Sequence, residues 1–392
     1  MRSLMQTIFL VVAFLWAWPL TAQQQQNCSN YSIVVNSPED KLMLAVNGSD
    51  DPNAKIAVLE KFAQEHADSA YMPCVQQQLT KNYGALKQYD NAIAASQKAV
   101  AANYLDVPFL ESALQAYAAS GQASDAAFDI IMKAGPQIKA ETVIFKNTNE
   151  TDAQFQEEQK NALDQARNDA AYMTFSFFQL LPRVTDVSSR IKLLDQFSQA
   201  YADFAPQEGG IVNYQYAVAY MQANQMEKAD EYGEKSIAAD PNNIEALNLV
   251  AYNYAFRART NQDKATGYAQ KVLTLIPGEK KPDGFSDDQF KSKQNQQEGM
   301  AHLTLGYLSL VKLGPSHRVS GAVQQLQTAA NLLSANPELQ GQAYYFLGYA
   351  YEDLYPPQHH HAMEALEHAA GLQSSMQSQA RDLLAKVKRA AH

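Results

Sequence analysis

The 392-residue sequence predicts an all-α protein in which about eight helical hairpins stack side by side and end in a capping helix. Three observations support this prediction. Tyr83 and Ala92 recur as Tyr117 and Ala126, 34 positions later, and further copies of the pattern follow. A longer stretch, residues 56–68, recurs 135 positions later at residues 191–203. Glycine and proline, which interrupt helices, are few, at 17 and 15 residues. With 46% hydrophobic and 18% charged residues, the composition is that of a folded chain rather than a disordered one.

The first 22 residues have the pattern of a secretory signal. Arg2 precedes an apolar segment at 8–18, and the small residue Ala22 stands before a polar glutamine run. The apolar segment is shorter than the roughly 20 residues that a membrane-spanning helix needs. We therefore expect cleavage after Ala22 and a periplasmic or secreted protein. The alternative is an uncleaved N-terminal anchor.

The segment 23–37 is predicted to be an extended N-terminal strap. It contains Cys28, and the other cysteine of the chain is Cys74. Because an exported chain meets an oxidising compartment, an even pair of cysteines there indicates a possible disulfide between Cys28 and Cys74. The alternative is two separate, partly buried thiols.

The first group of hairpins is expected over 38–139. Apolar residues at helical spacing place its hairpins near 38–67, 70–103 and 107–134. An irregular connector follows at 140–151. Its sequence fits either a short strand or an exposed loop.

The second group of hairpins is expected over 152–276. Residues 56–68 match residues 191–203, 135 positions later, so the chain is predicted to be a duplicated unit of about three hairpins. The clearest repeat copy covers 213–241. We place hairpins near 152–203, 209–239 and 244–276, and the turn inside the last of these carries an insertion of two residues.

The C-terminal part begins with a polar stretch at 277–297, which we predict to be an inserted loop. Hairpins near 288–335 and 339–372 and a capping helix at 375–390 make up the segment 298–392. Gly306 and Gly348 stand where two antiparallel helices must approach closely. Lys386, Lys388 and Arg389 suit the C-terminal end of the capping helix.

This pattern resembles the tetratricopeptide repeat, whose period is 34 residues, with small residues where its two helices cross. The stretch Ile56-Ala-Val-Leu-Glu-Lys-Phe resembles the leading repeat of exported bacterial members. The resemblance implies a right-handed α-solenoid in which the first helix of every hairpin forms the inner, concave wall. In related chaperone adaptors, Lys and Asn clamp a C-terminal carboxylate. Only Lys81 falls on a comparable position here, so we do not predict that activity.

Counting from the small residue at position 8 of each repeat, positions 5 and 9 are expected to face the groove. The residues predicted to line the groove are therefore mostly tyrosines: Tyr214, Asn248, Tyr252, Tyr307, Tyr345 and Tyr349. Glu352, one helical turn after Tyr349, is added to them. Tyrosine offers a large apolar face and a hydroxyl at low entropic cost, which suits recognition. The alternative is that these tyrosines fill the groove themselves.

Few residues indicate catalysis or metal binding. The sequence has no phosphate-binding glycine loop, no Gly-x-Ser-x-Gly and no His-Glu-x-x-His, and we predict neither enzymatic activity nor a cofactor. His361, Glu364 and His368 are weak metal candidates, since Glu364 and His368 share a helix face. The alternative is that histidines 359–361 belong to the polar turn of the last hairpin.

The sequence therefore predicts an exported, non-enzymatic scaffold that presents a concave groove to a partner polypeptide. The alternatives are a binding protein for a small molecule or glycan that uses the tyrosine-lined groove and, less favoured, a metal-dependent enzyme at 359–368. A net charge of −10 argues against a nucleic-acid partner, and no later segment is apolar enough to span a membrane. The sequence does not determine the oligomeric state.

Overall fold

The computed structural model describes residue 28 and residues 31–204, 209–282, 284–312 and 319–391. These residues form α-helices packed in neighbouring pairs and include no strand, so the predicted all-α fold class is confirmed. The predicted signal with its cut after Ala22, and most of the segment 23–30, lie outside the described residues. None of the helices in the described part is long and apolar enough to cross a membrane.

The chain divides into two compact units between Gln122 and Ala123. In the first unit, residues 31–122 form the five helices α1 (Pro38–Asn47), α2 (Pro52–Glu65), α3 (Met72–Ala85), α4 (Tyr89–Ala101) and α5 (Val107–Ser120). Local sequence fixes several of their starts. Ser37 and Asp51 accept hydrogen bonds from backbone amides of the first turns of α1 and α2, and a proline follows each of them.

Cys28 and Cys74 are joined by a disulfide in the first unit, with Cα atoms 5.6 Å apart. Cys74 is fully buried in α3, beside the equally buried Val75. The hydroxyl oxygen of Tyr104 lies 3.2 Å from the Cys28 sulfur. The disulfide attaches residue 28 to the second helical pair of this unit.

The described residues of the second unit form twelve α-helices: α6 (Asp125–Glu141), α7 (Asp152–Leu180), α8 (Val187–Ala200), α9 (Gly209–Gln222), α10 (Met226–Ala239), α11 (Ile244–Tyr252), α12 (Gln262–Leu275), α13 (Asp287–Lys312), α14 (Val319–Leu332), α15 (Pro337–Glu352), α16 (His359–Gly371) and α17 (Gln377–Ala390). A π-helical segment, Asn253–Arg257, directly continues α11.

The predicted connector at 140–151 is an exposed loop that begins after α6, and no strand forms there. The predicted loop at 277–297 is shorter than expected, because α13 begins at Asp287. Ser286 and Gln289 explain the difference. The Ser286 hydroxyl accepts a hydrogen bond from the Gln289 amide, and the Gln289 side chain accepts one from the Ser286 amide. This capping box starts the helix within the polar stretch.

Small residues allow the paired helices of the second unit to approach. A Cβ atom on Gly306 would lie 2.6 Å from Leu326 Cγ, and one on Gly348 would lie 2.5 Å from Leu366 Cγ. Both distances are too short for a side chain at these positions. The sequence-predicted role of glycine at the α13–α14 and α15–α16 crossings therefore has a steric basis.

Candidate functional site

The first helices of four successive pairs, α9, α11, α13 and α15, line an open groove of about 850 Å³ in the second unit. The segment just before α17 closes one side of it through Ser375 and Met376. This is the arrangement expected if the first helix of every pair faces inward. The volume lies within the range of ligand-binding clefts.

Four of the predicted groove residues line this groove: Tyr214, Asn248, Tyr252 and Tyr307. They come from α9, α11 and α13, so the phasing on positions 5 and 9 places them correctly. Their functional role stays a prediction.

The other three predicted residues do not line the groove. Tyr345 packs against the apolar cluster that α16 and α17 form, because α17 covers that side of α15. Tyr349 is exposed, and the Glu352 carboxylate accepts a hydrogen bond from His359 Nδ1 at 2.9 Å. On α15, the groove is instead lined by Glu338, Gln342 and Phe346, which are spaced four residues apart along one helix face.

Four aromatic rings form one wall of the groove. The Phe256 ring stacks on Tyr307 with centroids 4.2 Å apart, and it lies 4.7 Å from Tyr252 and 5.7 Å from Phe346. Sequence reasoning missed Phe256 and Phe346. A signal for Phe256 was present, since it stands four residues after Tyr252 and so shares its helix face.

The π-helical segment determines which side chains follow Tyr252 into the groove. The amide of Ala258 donates to the carbonyl of Asn253 at 2.9 Å, five residues back. In such a wide turn, a residue five positions after Tyr252 returns to its face. Arg257 therefore joins Phe256 at the groove. Burial raises the pKa of Tyr252, and the nearby positive charge of Arg257 acts in the opposite direction.

Glu245 and Lys293 form an ion pair at one end of the groove. Lys293 Nζ lies 2.9 Å from a Glu245 oxygen and 2.8 Å from Glu279, and Gln297 also donates to Glu245. Burial lowers the pKa of Lys293, but the two carboxylates outweigh this effect and leave it raised. Burial and the Glu245 charge raise the pKa of Tyr214 to about 12, so its hydroxyl is protonated at neutral pH.

Glu338 is the second carboxylate of the groove, and hydrogen bonds stabilise its ionised form. It accepts from the Ser375 amide at 2.8 Å, from the Ser375 hydroxyl and from Gln342 at 2.8 Å. Burial raises the pKa of Glu338, but the hydrogen bonds from Ser375 and Gln342 together hold it below its ordinary value. The Tyr252 hydroxyl in turn donates to Gln342 at 2.9 Å.

Arg257 and Arg259 are the remaining charged groups at the groove, and both are exposed. Across the described part of the chain, neither guanidinium forms an ion pair with a carboxylate, whereas Glu245 is paired with Lys293. Two amide oxygens of the groove wall, on Asn248 and Gln297, are buried without a hydrogen-bond partner in the same part of the chain. The Asn248 side-chain nitrogen donates to the Gln297 carbonyl.

The histidine cluster lies elsewhere in the second unit. His361 Nδ1 lies 3.3 Å from Glu364, whereas His368 stacks on the Tyr344 ring with centroids 4.8 Å apart. Within the described residues, no three His, Cys, Asp or Glu side chains come together in a group that could hold a metal ion. The weak metal candidates His361, Glu364 and His368 therefore do not form a site in this part of the chain.

Comparison with known proteins identifies residues 212–243 as a tetratricopeptide repeat. This region contains α10 and most of α9, and the repeat contributes groove side chains through α9. The predicted resemblance to tetratricopeptide repeat proteins is confirmed. No curated protein matches the chain.

Solved structures that match the chain include the Cut9–Hcn1 hetero-tetramer of the APC/C, at 12% identity and a TM-score of 0.27, covering 90% of this chain and 90% of that one. The tetratricopeptide domain of P58(IPK) has 12% identity and a TM-score of 0.25, covering 90% and 97%. Yeast Tom70 has 12% identity and a TM-score of 0.25, covering 90% and 95%.

Proposed function

Because the chain carries a tetratricopeptide repeat whose first helix lines an open groove, we propose that it is an exported, non-enzymatic interaction scaffold. A segment of a partner polypeptide binds in the groove between α9, α11, α13 and α15. The scaffold acts by presenting this surface to its partner. It does not form or break covalent bonds.

The continuity of the groove across four helices supports this function. An elongated binding surface built from successive repeats suits an extended chain, since each helix pair adds contacts along its length. Its aromatic wall provides rigid apolar area, and its polar wall provides hydrogen-bonding groups for a peptide. Repeat folds host many functions, so this surface and not the fold carries the proposal.

Export rests on the N-terminal sequence pattern. A positive residue, a short apolar segment and Ala22 support cleavage after residue 22. The direct measurement is the mass of the chain recovered from the exporting cell. We expect an N-terminus at Gln23, and a chain that retains residues 1–22 contradicts the cleavage.

A second candidate is the binding of a small molecule or glycan. The aromatic wall of Tyr252, Phe256, Tyr307 and Phe346 favours this candidate, because sugar rings and planar ligands stack on aromatic faces. The two candidates are distinguished by whether the groove binds members of a peptide library or members of a glycan array.

A peptide display library of random nine-residue segments tests the proposal. We expect enrichment of peptides that bind the chain and its Tyr349→Ala variant equally, because Tyr349 lies outside the groove. Tyr252→Ala should weaken the same peptides at least tenfold, since it removes an aromatic contact from the groove wall. Failure to enrich any peptide, together with binding on a glycan array, contradicts the peptide function and supports the second candidate.

A further inference from the structure

We infer that the groove selects a polypeptide segment in which an aromatic residue stands next to one or two carboxylates. This inference rests on the proposed function and states which segment binds. The aromatic side chain packs against Tyr252, Phe256, Tyr307 and Phe346, and the carboxylates meet Arg257 and Arg259.

Charge is the first argument. The chain as a whole carries a net charge of −10, which disfavours acidic partners in general. At the groove, however, Glu245 pairs with Lys293, which also pairs with Glu279, and the ionised Glu338 accepts three hydrogen bonds from uncharged groups. Arg257 and Arg259 form no ion pair among the described residues and are exposed. Among the side chains that line the groove, three cations (Lys293, Arg257 and Arg259) accompany two carboxylates (Glu245 and Glu338), and the two arginines are the cations available to a carboxylate of the ligand.

The apolar wall is the second argument. Besides the four rings, the groove is lined by Leu249, Met300 and Leu339. Tyr252 and Phe256 are half-buried, so part of each side chain stays accessible to a ligand. An aromatic side chain fills such a site best, because offset or edge-to-face ring pairs add to the burial of apolar area.

The third argument concerns spacing. Phe256 and Arg257 are consecutive residues, and the π-helical turn places both at the groove. An ordinary α-helical turn would bring Phe256 to the face of Tyr252 but would carry Arg257 away from it. Since the ring and the guanidinium lie side by side at the groove, an aromatic group and a carboxylate that lie close together on the ligand can meet both of them. Arginine suits this role because its planar group binds a carboxylate through two hydrogen bonds.

Three synthetic peptides of nine residues, capped at both ends, test the inference with the full chain. The parent peptide is Gly-Ser-Asp-Glu-Phe-Asp-Glu-Ser-Gly. The second peptide replaces its phenylalanine by alanine, and the third replaces its four acidic residues by lysine. Fluorescence anisotropy measures binding at low and at high salt.

We expect the parent peptide to bind, the alanine peptide to bind at least tenfold more weakly, and the lysine peptide not to bind. Added salt should weaken the parent peptide, because exposed charges are screened. The variant Arg257→Gln/Arg259→Gln should lose about tenfold in affinity. The matched variant Arg381→Gln should bind as the unmodified chain does, since Arg381 is exposed on α17 outside the groove.

A charge reversal keeps the test independent of folding. Arg257→Glu/Arg259→Glu should bind the lysine peptide and reject the parent, whereas Arg381→Glu should retain the original preference. Equal binding of the parent and lysine peptides, or an alanine peptide as tight as the parent, overturns the inference. If the display library yields groove-dependent peptides without an aromatic–acidic pair, the inference is wrong and the proposed function stands. If the library yields none, both are contradicted.

Discussion

At the scale of single residues, glycines inside helices differ in whether their missing side chain is needed for packing. Gly348 lets α15 approach α16 so closely that Leu366 occupies the space where a Cβ atom would be. Gly267, inside α12, has no heavy atom within 4 Å of such a Cβ position. The same residue type therefore serves packing at one position and has no packing role at the other.

This contrast gives a first prediction. Gly348→Ala should destabilise the chain by roughly 1–3 kcal/mol, because the added methyl group overpacks the helix crossing. Gly267→Ala should stabilise it by about 0.5–1 kcal/mol, because alanine is the better helix former and meets no neighbour. Urea unfolding measures both changes. Equal effects of the two variants would contradict the steric role of Gly348.

A second residue-scale feature is the carboxylate of Glu234. It accepts hydrogen bonds from Tyr254 and Tyr268, each at 2.8 Å, and from Lys264 at 3.0 Å. Burial raises the pKa of Glu234, but these hydrogen bonds and the Lys264 charge hold it below the ordinary value of 4.5. Burial and the same carboxylate raise the pKa of Tyr268 to about 12.

The second prediction follows from the direction of this shift. A carboxylate with a lowered pKa in the folded state stabilises the fold above its unfolded pKa, and this contribution is lost as the pH falls through the folded pKa. Glu234→Gln should therefore cost about 1 kcal/mol at pH 7 and less at a pH below about 4. Glu231→Gln is the control, because its carboxylate forms an exposed surface pair with Lys235. A pH-independent difference between Glu234→Gln and the unmodified chain would contradict this account.

At the scale of elements, most of the helices were predictable from the sequence. The repeat period and the turn residues fixed the hairpins to within a few positions, because apolar residues at helical spacing leave little choice about which face is buried. The groove residues on α9 and α11 followed from the same phasing. The hairpin near 288–335 also placed the start of α13 within one residue, but the loop assigned to 277–297 was too long, since the capping box at Ser286 lies inside a polar stretch.

The errors at the candidate site have two physical causes. On α15, the face that carries Tyr345 is covered by α17, an element outside the repeat. The neighbouring residue Phe346, rather than Tyr345, therefore lines the groove. After α11, the backbone changes from α to π, and periodicity cannot reveal a change of helical pitch. Arg257 was therefore missed, whereas the position of Phe256, four residues after Tyr252, already indicated the same helix face.

The disulfide gives the element-scale prediction. It closes a sequence separation of 46 residues, and loop-closure entropy assigns such a link about 2–4 kcal/mol of stability. Cys28→Ser should lower the stability of the first unit by about that amount, and reduction of the unmodified chain should have the same effect. Unfolding that is unchanged by a reductant would show that the cysteines act as separate thiols.

At the scale of the whole molecule, four successive helix pairs of the second unit contribute to one surface. No single pair contains the groove, because α9, α11, α13 and α15 each supply only a few of its side chains. Function at this scale depends on the stacking of neighbours, as in other repeat proteins. A substitution that changes the packing of one helix pair is therefore expected to alter ligand binding to groove residues on the neighbouring pairs.

Site-specific photo-crosslinking tests the central claim most directly. A photoreactive amino acid is placed at Gln296, which is exposed and lines the groove on α13, or at Gln379, which is exposed on α17 outside it. The partner is a peptide selected from the display library. We predict crosslinking from position 296 and none from position 379. Crosslinking from position 379 alone, or equally from both positions, would show that the bound segment does not lie in the groove.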